Sequence, residues 1–210
     1  MRLAIIGGTG DLGLGLAARL SQHFDVLIGS RDAARAENAA GQARTLSGGS
    51  VVGCSNNEAA NKCDSAILAI PDLPEDGFLR ELAAPLTGKL VISPIVPMKF
   101  EGSHFSYSLP EGSAAEKVAL SLKSNVASAL HTVPAKKLLK IDESLEFDVL
   151  VAAENREIFA QASEIISSIR HLRPLYAGPL SVSRLIESIT PLLLNAERFN
   201  KLRWPSIRIV

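Results

Sequence analysis

The chain has 210 residues, 47% of them hydrophobic, with 22 basic side chains balancing 22 acidic ones. That length holds one large domain or a domain with a smaller addition, and the apolar content supplies a sizeable core. A formal net charge of zero argues against a nucleic-acid binder, which usually carries a basic excess, and no apolar stretch is long enough to span a bilayer.

Leu3–Ile6 is a continuous apolar run, as in a parallel strand buried on both faces. Gly8-Thr9-Gly10-Asp11-Leu12-Gly13 follows, a G-x-G-x-x-G turn, and then Leu12, Leu16 and Leu20 recur at helical spacing. In a dinucleotide fold Gly8 permits a tight turn, Gly10 leaves room for a pyrophosphate, and Gly13 lets helix pack on strand. The helix start then offers unpaired N–H groups and a positive dipole end to the phosphates. Glycines also make ordinary strand-to-helix turns. The place of this one, between a strand and an amphipathic helix, favours nucleotide binding.

The first strand-helix unit leads directly into a second strand, 25–29, and an Ala-rich surface helix, 32–46. A third strand starts at Val51, a short helix covers 58–62, and a fourth strand, 65–70, is closed by Pro71. A helix over 75–86 ends before Gly88, and a fifth strand, 90–92, runs into Pro94 and Pro97. A polar loop is expected over 98–112, a helix over 113–122 and a sixth strand over 125–130. This alternation predicts an α/β fold, a Rossmann-like doubly wound parallel sheet. Beyond it lie a strand at 148–152, a helix at 155–168, an edge strand at 173–177 containing Pro174, and an apolar helix at 180–199 that Pro191 must kink or split. No flexible linker separates the two parts. Residues 1–135 are therefore expected to form a Rossmann domain, with a smaller C-terminal α/β region, 136–210, packed on it.

The second strand exits through Gly29-Ser30-Arg31. An acidic residue there would hold a ribose 2′-hydroxyl, whereas a hydroxyl and a guanidinium suit a 2′-phosphate, with Arg35 one turn further on. NADP is expected over NAD. Ser30 or Asp32 can equally cap the next helix, and capping is compatible with phosphate binding. A second ligand should sit beyond the strand ends, where Ile70-Pro71-Asp72, Ser93–Pro97 and Leu130–Pro134 converge. His131 lies there and reads equally as a catalytic-site residue or as a hydrogen-bonded structural one. Glu187, Ser188 and Thr190 either point into a cleft or satisfy backbone near Pro191. Cys54 and Cys63 fit no zinc or redox spacing, and no metal is expected. The N-terminus enters the first strand with no basic-then-apolar leader, so a cytoplasmic location is expected.

These segments together resemble the coenzyme F420-dependent NADP oxidoreductases. The resemblance runs from residue 1 to about residue 200 and is most specific in Ala129–Ala135, Leu172–Leu175, Ala177–Leu180 and Ser183–Leu192. It implies a cytoplasmic homodimer that moves a hydride between NADPH and the 5-deazaflavin F420. It also implies that Thr9 to Leu12, Ser30, Arg31 and Arg35 hold NADP, together with Ile70 and Pro71. His131, Val133, Ser188 and Thr190 match positions lining the deazaflavin pocket, and residues 136–210 complete that pocket and supply the dimer interface. Neither a nucleophile nor an acid–base group is required of the protein. Two stretches depart from the family pattern, Asp72-Leu73 after Ile70-Pro71 and Lys201–Pro205 in the tail, both expected near the second ligand. The alternatives are an NADPH-dependent reductase of a flavin, ferric or carbonyl acceptor, and a non-catalytic NADP sensor.

Overall fold

A computed structural model describes residues 1–210, apart from the side chain of Asp76. The first strand, β1 (Arg2–Ile6), is buried from Leu3 onward and leads into α1 (Asp11–Leu20). Next come β2 (Asp25–Ser30), α2 (Ala33–Ser47), β3 (Val51–Ser55) and α3 (Asn56–Lys62). The chain continues through β4 (Ser65–Leu68), α4 (Asp76–Leu86) and β5 (Leu90–Ser93). Residues expected as a polar loop contain an antiparallel hairpin, β6 (Met98–Phe100) with β7 (Phe105–Tyr107). Its few residues alternate too little for the sequence to reveal it.

After α5 (Ala114–Leu122), β8 (Asn125–Ser128) ends two residues earlier than expected, because Leu130 turns into the left-handed region at φ 72°. The short α6 (Ala135–Leu138) falls in a stretch with no sequence assignment and leads to β9 (Phe147–Ala153). The remaining elements are α7 (Arg156–Ser167), β10 (Leu172–Gly178), a 3-10 turn (Leu180–Val182), α8 (Ser183–Glu187) and α9 (Ile189–Asn200).

The break in the last helix falls at Ser188, three residues before Pro191. Pro191 thereby sits in the first turn of α9, where its missing N–H would have had no partner anyway.

The eight main strands form one sheet in the order β10-β9-β8-β5-β4-β1-β2-β3. Its parallel part reproduces the doubly wound Rossmann order, with the switch point between β1 and β4. The C-terminal α/β region extends that sheet: β9 pairs antiparallel with β8, and β10 then pairs parallel with β9 at the edge. Pro174 is accommodated there, as an edge strand allows. One apolar core, with Leu16, Ile28, Ile92 and Ile165, lies under α1, α2 and α7. The other, with Leu79, Leu82, Val118 and Leu122, lies under α4 and α5. Among the described residues no helix is long and apolar enough to cross a membrane.

Arg19 ties α6 to α1. Its buried guanidinium donates to the carbonyls of Lys137, Leu138, Lys140 and Glu143. Gly15 allows the approach, since a Cβ there would lie 2.5 Å from Leu138 Cβ. The segment after β8 is therefore fixed against the helix that starts at the glycine turn.

Candidate functional site

Two recesses open beyond the carboxyl ends of β1, β4, β5 and β8. The first, about 870 Å³, runs from the glycine turn to the exit of β2. Gly7 makes the turn, at φ 71°, a role the sequence reading gave to Gly8. Gly8 serves close packing instead: a Cβ on it would lie 2.8 Å from Ile5 O. At Gly13 a Cβ would lie 2.3 Å from Gly8 Cα, while at Gly10 it would meet nothing within 4 Å. Helix and strand are thus pressed together at one glycine and left open at another. Gly10 is the N-cap of α1 and adds no side-chain cap, so the first-turn N–H groups face the recess, which Thr9, Gly10, Asp11, Leu12 and Gly13 line.

At the far end of this groove Ser30, Arg31 and Arg35 line the wall. Asp32 caps α2 through the N–H groups of Ala34 (2.9 Å) and Arg35 (3.3 Å). Ser30 Oγ accepts from the Asp32 N–H at 3.2 Å and keeps its own proton to donate. Among the described residues neither guanidinium has a carboxylate partner. A hydroxyl and two cations therefore meet at the start of α2, beside the capping carboxylate of Asp32, and Ser30, Arg31 and Arg35 form a donor set suited to a phosphate dianion. The cap leaves the Ser30 hydroxyl and both guanidiniums lining the groove.

Asn56 was not foreseen. Its Oδ1 accepts from Gly7 N–H at 3.0 Å, which locks the glycine turn to the start of α3. Gly29 makes room for it, as a Cβ there would be 2.8 Å from the same oxygen. An Asn after a short strand carries no sequence signal for this contact.

The second recess, about 370 Å³, is mostly apolar. Leu12, Ile70 and Pro71 line both recesses, so the two adjoin at these residues. The three strand exits converge as expected: Ile70 and Pro71, Pro94 and Val96, and Leu130 to Pro134 all border it. Ile95 points instead into the core under α4 and α5. The left-handed Leu130 turns His131 and Val133 toward the recess. Such a backbone is uncommon for a bulky residue.

That turn is held from the C-terminal side, for Thr190 Oγ1 donates to His131 O at 2.9 Å and Ser206 Oγ to Thr132 O at 2.8 Å. Ser188 lies outside the lining of both recesses, and its hydroxyl bonds Arg184 O at 2.6 Å within the helix. Glu187 is fully buried and accepts from Tyr107 Oη (2.6 Å) and the N–H groups of Ala114 (3.0 Å) and Ala115 (3.1 Å). It caps α5 rather than facing a ligand, and burial pushes its pKa up.

Burial drives the His131 pKa down to about 3, with the Ser93 backbone opposing. The ring is therefore neutral at physiological pH. Its Nδ1 is buried without a partner among the described residues, while Nε2 lies 3.5 Å from Ser128 Oγ. A neutral imidazole at the recess wall can donate or accept one hydrogen bond; it is no proton donor near pH 7. Of the two departures from the family pattern, Asp72 lines the phosphate-side groove, and only the tail, through Trp204 and Pro205, borders the second recess.

Comparison with known proteins agrees with this geometry. A family profile described as "NADP oxidoreductase coenzyme F420-dependent" matches residues 2–97. The F420-dependent NADP reductase of Methanothermobacter thermautotrophicus is 38% identical over 219 aligned residues, spanning 100% of this chain and 94% of that protein. The enzyme of the same name from Methanocaldococcus jannaschii is 35% identical, spanning 100% of this chain and 98% of its own. Among solved structures, a protein of Arthrobacter sp. FB24, provisionally assigned as an F420-dependent NADP reductase, superimposes with a TM-score of 0.85. Its identity is 20%, over 100% of this chain and 99% of that one, so it speaks for the fold. An imine reductase from Myxococcus stipitatus in complex with NADP+ shares the fold at a TM-score of 0.65 and 16% identity, over 96% of this chain and 63% of that one.

Proposed function

The chain belongs to the coenzyme F420-dependent NADP oxidoreductase family, and from that premise we propose that it transfers a hydride between NADPH and the 5-deazaflavin F420. The observation that carries this reading is that a phosphate-ready groove and an apolar recess adjoin at Leu12, Ile70 and Pro71. The hydride chemistry is supplied by the nicotinamide and the deazaflavin when both are bound.

The protein's share is binding, orientation and exclusion of water. The N–H groups opening α1 hold the diphosphate, with Gly8 and Gly13 keeping the turn compact and Gly10 giving access. Ser30, Arg31 and Arg35 select the 2′-phosphate. Leu12, Ile70 and Pro71 form the floor over which the two reacting rings meet, and Val96 and Val133 keep that floor dry. His131 borders the acceptor in the recess wall, and Thr190 fixes the turn that carries it. Ser188 acts through the α8–α9 junction, by steadying Thr190.

In this reading residues 1–135 bind NADP and residues 136–210 complete the acceptor site. The protein works as a cytoplasmic homodimer. Exposed Leu185, Leu192 and Phe199 on α8 and α9 support a dimer face there, and light scattering at micromolar concentration tests it. Anaerobic mixing with NADPH and either F420 or FMN tests the function. Bleaching of the deazaflavin, one molecule per NADPH oxidised, is expected. Bleaching of FMN with F420 untouched would show a flavin reductase, and tight NADPH binding with no turnover a sensor.

A further inference from the structure

The C-terminal tail crosses the mouth of the acceptor recess, and several independent contacts pin it there. The Ile207 carbonyl accepts from Asp148 N–H at 2.9 Å, and Asp148 Oδ2 accepts from Ile209 N–H. Arg173 bonds the same carboxylate at 2.6 and 2.8 Å and the Ile209 carbonyl at 2.6 Å. That arginine holds the buried Asp148 carboxyl down to about 2, so the anchor is charged throughout the physiological range. Ser206 adds its bond to Thr132 O in the recess wall.

This clamp presents one aromatic side chain to the recess. Trp204 borders it beside Pro205, and the ammonium groups of Lys137 and Lys140 lie 5.4 and 4.9 Å from its ring centroid. Both lysines pair with Glu143, and Arg19 fixes the backbone of that segment to α1. Trp204 also has φ 55°, a left-handed backbone that glycine adopts without strain and a bulky residue does not. A strained position that keeps the largest side chain, on a built cationic support, at the edge of an apolar recess, is kept for what that side chain contacts.

We propose that Trp204 is the acceptor-contacting residue of the tail: its indole packs against the planar ring system of the deazaflavin and sets the recess's preference for a flat aromatic acceptor. The inference rests on the F420 reading above and adds to it a residue of the C-terminal tail.

Trp204 is the sole tryptophan of the chain, so its emission reports on this one place. In the wild-type protein, saturating oxidised F420 is expected to lower the acrylamide quenching constant of Trp204 severalfold, while NADP+ leaves it unchanged. Trp204→Gly suits the observed backbone and should keep the fold. Its F420 dissociation constant, measured by calorimetry, is expected to rise about tenfold, with the NADP+ constant within about twofold of wild type. Trp204→Phe should recover most of the loss. An unaltered quenching constant at saturating F420, or F420 affinity unchanged in Trp204→Gly, would overturn the inference while leaving the functional reading standing. Absence of any F420 binding by the wild-type protein would overturn the functional reading, and this inference with it.

Discussion

The phosphate-side groove draws its polar groups mainly from one backbone turn and the starts of two helices, whereas the acceptor recess beside it borrows side chains scattered from Leu12 to Pro205. On the proposed reading the groove works mainly through N–H groups and missing Cβ atoms, with Ser30, Arg31 and Arg35 added at one end. In the recess nearly all recognition is by side chains, and the chain order of those residues bears no relation to their neighbourhood. The first kind of site tolerates almost no change at Gly8 and Gly13. The second is open to retuning residue by residue.

Substitutions can break that contrast. The largest effect is expected at Gly13→Ala, whose Cβ would meet Gly8 backbone at 2.3 Å with no side chain free to yield. Destabilisation of about 3 kcal/mol or more in urea unfolding, with loss of NADPH binding, is expected. Gly10→Ala, into open space, should keep stability within about 1 kcal/mol and weaken the nucleotide alone. Similar unfolding midpoints for the two variants would contradict the division of labour among the glycines.

Next in size, Arg31→Ala should raise the NADPH dissociation constant by about 10- to 100-fold, as loss of a charge-assisted contact implies. NADH should hardly respond, and an equal response of both coenzymes would refute the 2′-phosphate assignment. On the other side of the contrast, Thr190→Ala removes the bond to His131 O. The KM for F420 should rise by about five- to tenfold with NADPH binding intact; a matching loss of NADPH affinity would blur the two regions into one.

The smallest effect is a slope. His131 has its folded-state pKa lowered to about 3, against about 6.5 for an unfolded histidine. Between those values the unfolded chain binds the proton and the folded one does not, so His131 costs stability progressively as pH falls from about 6.5 toward 3. His131→Gln should flatten that part of the stability–pH curve. The hydride-transfer rate should show no inflection from this group between about pH 5 and 8. An inflection near 6.5 that vanishes in the variant would make His131 an acid–base catalyst after all.

The same contrast explains what the sequence reveals. The parallel strands, the glycine turn and Ser30-Arg31 are legible because their meaning is local, set by period, spacing and a strand exit. Even there the turn residue is Gly7, since only backbone angles separate it from Gly8. The antiparallel addition of β9 to the sheet is a matter of topology, which no local pattern encodes. Glu187 reads by sequence either as a cleft residue or as a partner for backbone near Pro191, but it caps α5, some 70 residues earlier in the chain. Ser188 lies two residues before the recess residue Thr190 yet bonds its own helix. Asn56 and Trp204 gain their places from tertiary contacts alone.

The central claim is direct transfer of a hydride from one bound ring to the other across the floor of Leu12, Ile70 and Pro71. NADPH carrying deuterium at the transferred C4 position, reacted with F420 in ordinary water, tests it most directly by mass spectrometry of the reduced deazaflavin. The label is expected on the deazaflavin carbon, with none washed into solvent; unlabelled reduced product, or label recovered in water, would contradict it.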